Sequence, residues 1–135
     1  LAERRGVKSV LVGGSSDIAS GQVATDASGG AAVNLCGRTT LRQLAALVQR
    51  SAVVVTADST PMHMAAAMNR PLVALFGPTN PARTGPYGRM GDVVRIDLEC
   101  SPCYLKRIHQ CPHDHACMQR LDAEMIARET ELRLG

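Results

Sequence analysis

Residues 51–81, SAVVVTADSTPMHMAAAMNRPLVALFGPTNP, leave the chain little choice of architecture. Residues 52–57 are a short Val-rich apolar run, the pattern of a strand covered on both faces. Asp58, Ser59 and Thr60 break that run with small polar side chains suited to N-capping. Pro61 follows, favoured at a first helical position because its missing N–H would be unpaired there anyway. An Ala- and Met-rich helix is expected over 62–69. Pro71 introduces a second buried strand over 72–76, which Gly77 and Pro78 end. This is a β-α-β crossover with its polar turn at the carboxyl end of a parallel strand, where open α/β sheets bind ligands. The amides of Thr60, Met62 and His63 would project from the helix start, where the dipole favours an anion.

The remaining chain repeats the alternation. Arg4, Arg5 and Gly6 read as a helix end over 1–6, and residues 8–12 as a first strand closed by Gly13 and Gly14. Ser15, Ser16 and Asp17 would open a helix running to about Ala27, followed by a strand over 32–35. Thr39 or Thr40 caps a helix over 41–50 with Leu41, Leu44, Ala45, Leu47 and Val48 on one face. A last strand is expected over 93–96, and a terminal amphipathic helix over 121–134 with Met125, Ile126 and Leu132 inward. The economical fold is α/β: a Rossmann-like parallel sheet flanked by helices. At 135 residues the chain is expected to form one domain over 1–135. Residues 77–92 and 98–119 are long irregular segments, which in a compact domain are more often functional than accidental.

Composition excludes several classes of function. Only Phe76, Tyr87 and Tyr104 are aromatic, so bases have almost nothing to stack on. Fifteen basic against 12 acidic residues leave a net charge of +3, too little to argue for nucleic acid as a partner. No apolar run approaches the roughly 20 residues of a membrane-spanning helix. There is no nucleophile elbow, Walker loop, G-x-G-x-x-G or carboxylate pair placed for hydrolysis. The chain opens Leu1-Ala2-Glu3-Arg4-Arg5, without an initiator Met or a secretion signal, and is expected to be a piece of a longer protein.

Two segments carry candidate chemistry. In the loop at 77–88, three Pro and three Gly fix a shape without regular structure. Thr79 and Pro81 are expected beside the Asp58 turn, and Arg83 is the nearest cation able to neutralise a diphosphate, or else a solvated charge. Within 98–119, Cys100, Cys103, Cys111 and Cys117 run C-x2-C-x7-C-x5-C, with His109, His113 and His115 interleaved. Such a set admits a tetrahedral zinc ion. The middle gap is short for a zinc ribbon, however, and the histidines leave the ligand set open. Reduced thiols ordering the loop, or one disulfide, are preferred to zinc. Cys36 stands apart and should pack as a small apolar group.

The combination D-S-T-P-M-H-M-A-A-A, R-P-L-V-A-L-F-G-P-T-N-P and T-G-P-Y-G resembles the C-terminal half of the bacterial heptosyltransferases, glycosyltransferase family 9. N-L-C-G-R-T-T-L-R-Q-L-A-A-L at 34–47 and the C-S-P-C…C…C-M segment extend the resemblance over nearly the whole chain. The usual family turn is Asp-Ser/Thr-Gly-x-x-His, so Thr60 stands where a glycine is usual, and its Cβ could obstruct close phosphate approach.

The resemblance implies the C-terminal, donor-binding half of a GT-B glycosyltransferase. Its reaction would be inverting, metal-independent transfer of heptose from ADP-heptose to the lipopolysaccharide inner core. Asp58, Ser59, Thr60, Met62, His63 and Thr79 would then surround the donor pyrophosphate and sugar. Asp58 would hold sugar hydroxyls or clamp the turn, since a carboxylate repels phosphate. Thr39, Thr40 and Asp17 would lie near the nucleoside, Asp17 on the ribose. Each has a plainer alternative: Asp58, Ser59, Thr39, Thr40 and Asp17 as helix caps, and His63 as a half-buried surface histidine. The family's general base is expected in an N-terminal acceptor domain outside this chain, and its basic phosphate-binding residue just upstream of Leu1. The isolated chain should therefore bind nucleotide weakly and catalyse nothing. A cytoplasmic protein is implied, free to associate peripherally with the inner face of the inner membrane. Two other readings compete: a non-catalytic zinc-binding or partner-docking module built on the Cys/His loop, and a nucleotide-sugar epimerase domain on the same architecture.

Overall fold

The computed structural model describes residues 5–105 and 107–135. The helix end expected at 1–6 lies outside them except at its close, where Arg5 is helical and Gly6 takes φ of +64°. All five described strands pair in parallel, in two ladders rather than one. Packing divides the chain into two compact units, Leu1–Leu47 and Val48–Gly135, with the boundary inside a helix.

In the first unit β1 (Ser9–Leu11) pairs with β2 (Ala32–Asn34), Val10 lying opposite Val33. A 3-10 turn at Ser15–Asp17 leads into α1 (Ile18–Ala27), which crosses over between them. Gly21 is buried on α1, where the packing admits only glycine: a Cβ would meet Asn34 Oδ1 at 2.6 Å and Cys36 Sγ at 2.9 Å. Cys36 is buried, as its expected apolar role requires.

α2 (Leu41–Arg50) follows, with the predicted bounds. Val48 is its buried residue, whereas Leu41 is 66% exposed, so the apolar stripe is shorter than its periodicity suggests. In the second unit the order is β3-β4-β5, made of Val54–Ala57, Leu72–Phe76 and Val93–Arg95. β4 is the central strand; Leu72, Val73 and Ala74 are fully buried and Phe76 nearly so. β3 departs from expectation. It lies at the side of this ladder, and Val55 is 42% exposed while Val54 is buried. Successive side chains of a strand point to opposite faces, so β3 is covered on the face that carries Val54 and open on the face that carries Val55.

The helix α3 (Thr60–Ala67) returns from β3 to β4 and buries Met62 and Ala65 completely. The irregular stretch expected at 77–92 contains a short helix α4 (Pro81–Thr84) and a 3-10 turn at Met90–Asp92. The stretch at 98–119 likewise holds a 3-10 turn at Ile108–Gln110 and a short helix α5 (Ala116–Gln119). The last helix, α6 (Ala123–Leu134), packs on β4. Its inward face centres on Thr130, 2% exposed, whose hydroxyl donates to the Ile126 carbonyl at 2.6 Å. Leu132, predicted inward, is 71% exposed because it lies off the 126–130–133 row that faces the sheet. No helix of the described residues is long and apolar enough to cross a membrane.

Candidate functional site

The polar turn between β3 and α3 stands at the carboxyl end of its strand, as the β-α-β pattern dictates. Ser59 occupies the N-cap position in an extended conformation, φ −159° and ψ 175°, but its side chain makes no capping bond. Its hydroxyl turns back instead, 2.9 Å from Thr56 Oγ1 and 3.2 Å from the Ala57 carbonyl, to which it donates. Pro61 in the first turn carries no amide hydrogen, and the Met62 amide, expected to project toward an anion, is instead taken by the Ser59 carbonyl at 3.1 Å, because the first turn closes on itself. The Met62 side chain belongs to the core. Thr60 and His63 are exposed, so the hydroxyl and imidazole are open to solvent beside the helix start.

Asp58 is half-buried and does not bond to the turn's own amides. Its Oδ2 accepts the Thr84 hydroxyl at 2.7 Å, across 26 residues. That bond holds α4 against the turn. α4 is itself capped, the Asn80 side chain accepting the Ala82 amide at 2.9 Å with Pro81 buried behind it. Thr79 is half-buried in the segment leading to Asn80. Thr84 of the 77–88 loop thus bonds to Asp58, a contact no local pattern signals.

In the first unit Asp17 holds a turn. Its Oδ2 accepts the Gly14 amide at 2.7 Å, and Gly13 leaves it room, since a Cβ there would meet Oδ2 at 2.6 Å. Thr40 and Gln43 cap the start of α2 reciprocally: the Thr40 amide donates to Gln43 Oε1 at 2.8 Å, and the Gln43 amide to Thr40 Oγ1 at 3.3 Å. This is the capping-box arrangement with Gln in the third position. Thr39 is half-buried beside it.

The cysteine segment is fastened to the end of β4. Ser101 Oγ donates to the Gly77 carbonyl at 2.6 Å, and the amides of Cys103 and Tyr104 both donate to the Pro78 carbonyl, at 3.0 and 2.9 Å. Cys111 Sγ accepts the His115 amide at 3.4 Å, with Asp114 and His115 in the left-handed region between them and α5. All five cysteines are free thiols. Among the described residues no three His, Cys, Asp or Glu side chains stand close enough to hold a metal ion. Cys117 is buried, and burial, followed by the nearby thiols of Cys103, Cys111 and Cys100, raises its pKa. Tyr104 carries a second contact, the Arg83 guanidinium stacked 5.5 Å from its ring centre. The sequence offered a signal for α4 in Asn80-Pro81, a cap followed by proline. It offered none for the Thr84, Ser101 and Tyr104 contacts, which join distant segments.

The model of glycosyltransferase family 9 (heptosyltransferase) matches residues 1–114. Lipooligosaccharide heptosyltransferase 2 of Campylobacter jejuni subsp. jejuni serotype O:2 is 35% identical over 100 residues, covering 73% of this chain and 30% of that protein. Lipopolysaccharide heptosyltransferase 2 of Escherichia coli K12 is 48% identical over 63 residues, 47% of this chain and 18% of that one. Among solved structures, E. coli ADP-heptose lps heptosyltransferase II superposes with a TM-score of 0.74 at 30% identity, over 94% of this chain and 36% of that chain. A glycosyltransferase family 9 protein from Veillonella parvula gives 0.76 at 26% identity, over 97% and 37%. The chain thus spans about a third of the solved relatives. The match over residues 1–114, with the parallel α/β architecture shared by those structures, shows that this chain belongs to glycosyltransferase family 9, the heptosyltransferases.

Proposed function

We propose that this chain is the donor-binding part of a heptosyltransferase that moves heptose from ADP-heptose to the lipopolysaccharide inner core. The observation that carries the reading is the uncapped start of α3 at the carboxyl end of β3, bordered by the exposed Thr60 and His63. A diphosphate brought there would meet the positive end of the helix dipole, and the Thr60 hydroxyl and His63 imidazole would add donors. In an inverting transfer an acceptor hydroxyl attacks the anomeric carbon, the bond to the diphosphate oxygen breaks, and the negative charge collects on the leaving group. Donors held in place before the reaction stabilise that charge without reorganising, the electrostatic contribution that dominates many enzymes. Asp58, tied to Thr84, supports the turn rather than the phosphates, with Oδ1 left to meet a sugar hydroxyl. Thr39, Thr40 and Asp17 are assigned to the nucleoside, and no metal is assigned to the transfer step. The lipopolysaccharide acceptor, the general base and a cytoplasmic, membrane-peripheral location are assigned to the longer enzyme of which this would be one part.

The test is titration of ADP, then UDP, into isotope-labelled protein while backbone amides are followed. Shifts centred on Thr60 and His63 and larger for ADP are expected, with no heptose transfer by the isolated chain. Silence at these amides with millimolar ADP would remove the donor-site assignment.

A further inference from the structure

Arg83 is the one cation of the 77–88 loop, and among the described residues no carboxylate pairs with it. Its position is set from two sides. On one, the next residue, Thr84, donates to Asp58 at 2.7 Å, so the Cα of Arg83 stands about 3.8 Å from that of a residue bonded to the polar turn. On the other, the guanidinium lies over the Tyr104 ring at 5.5 Å. Tyr104 is held by unusual backbone: φ is +55°, a region costly for a bulky residue. That conformation is kept by the bond from its amide, with that of Cys103, to the Pro78 carbonyl, and by the Ser101 bond to Gly77. Strain of this kind persists where surrounding structure over-determines it, and it gathers at ligand clamps.

We propose that Arg83 is a phosphate-binding residue of the donor site and that Tyr104 is its positioning residue, a platform supplied by the cysteine segment. This rests on the donor-site reading above. A planar guanidinium can span two oxygens of a diphosphate, and stacking on an aromatic face limits the rotamers it must give up on binding. The cysteine segment thereby acts on the donor through Tyr104: whatever loosens residues 100–104 from Gly77 and Pro78 frees Arg83. The site recognises the second phosphate of a nucleoside diphosphate, so it separates ADP from AMP.

The experiment compares ADP and AMP binding by amide shifts in the chain and in four variants, Arg83→Ala, Arg83→Lys, Tyr104→Phe and Tyr104→Leu. Arg83→Ala should weaken ADP about tenfold and AMP far less, with a shallower salt dependence. Arg83→Lys keeps the charge and loses the planar stack, so part of the affinity returns. Tyr104→Phe, which retains the aromatic face, should bind as the parent does, and Tyr104→Leu should fall toward Arg83→Ala. ADP shifts at the α3 start that are equally strong in Arg83→Ala would overturn the role of Arg83 and leave the donor site standing. A parent-like Tyr104→Leu beside a weakened Arg83→Ala would overturn the platform alone. No ADP shift at Thr60 or His63 in the parent would remove both. Undisturbed amide spectra of 72–76 in each variant separate these outcomes from misfolding.

Discussion

A side chain at Gly77 would meet Met118 Sδ at 2.5 Å and Cys117 Sγ at 3.2 Å, which is why glycine ends β4 where the cysteine segment folds over it. The methionine can swing away and the cysteine, buried in α5, has less freedom. Gly77→Ala should therefore destabilise by about 1–3 kcal/mol, read as a lower urea midpoint. An unchanged midpoint would mean that Met118 moves aside without loss. Cys117 gives a prediction in pH. Burial first, then the neighbouring thiols, push its pKa above the ordinary thiol range, so the folded chain keeps a proton that the unfolded chain releases. Its contribution to stability is full below the unfolded pKa and is lost as pH rises through the folded one. As pH rises through the ordinary thiol range and above it, stability should fall less steeply in Cys117→Ala than in the parent; equal slopes would deny the shift. At this scale the local geometry of the candidate site was partly legible. Thr60 and His63 could be singled out because small polar residues and proline mark a helix start. The partner of Asp58 could not, because Thr84 lies 26 residues on.

Among the elements, α2 and β4 have their predicted bounds, since strong periodicity and flanking proline leave few alternatives. α6 shows the limit of periodicity. Its start is local, Asp122 Oδ1 accepting the Met125 amide at 2.7 Å. Asp122→Ala should thus cost about 1 kcal/mol, and Asp122→Gly only a few tenths, in thermal or urea unfolding. Equal losses from both would point to a role other than capping. Its buried face, by contrast, is chosen by the sheet. Thr130 enters the core because its hydroxyl can bond back to Ile126, while Leu132 remains outside. The short helix α4 escaped a reading by periodicity because four residues are barely a turn.

Across the second unit, the carboxylate of Asp92 joins three segments. It accepts from Arg89 Nε at 2.6 Å and from Arg133 Nε at 3.3 Å, while Arg89 also donates to Asn69 at 2.9 Å. The three ionic side chains are only 16–25% exposed; removing the shared acceptor takes the carboxylate from Arg89 Nε, while Arg133 keeps Glu129 Oε2 at 2.7 Å. Asp92→Ala should lower stability by about 1–3 kcal/mol, with the loosening seen as faster amide exchange in both α6 and the 89–92 turn. Exchange confined to one of them would break the proposed connection. From the sequence alone came the parallel α/β class, the crossover at 51–81 and the polar turn at its strand end, because these follow from periodicity and local steric preference. Tertiary structure alone decided the two-ladder pairing, the exposed face of β3, the Asp58–Thr84 bond and the seating of Arg83 on Tyr104. Those depend on which distant segments meet, and meeting is settled by the packing of the whole chain rather than by any window of it.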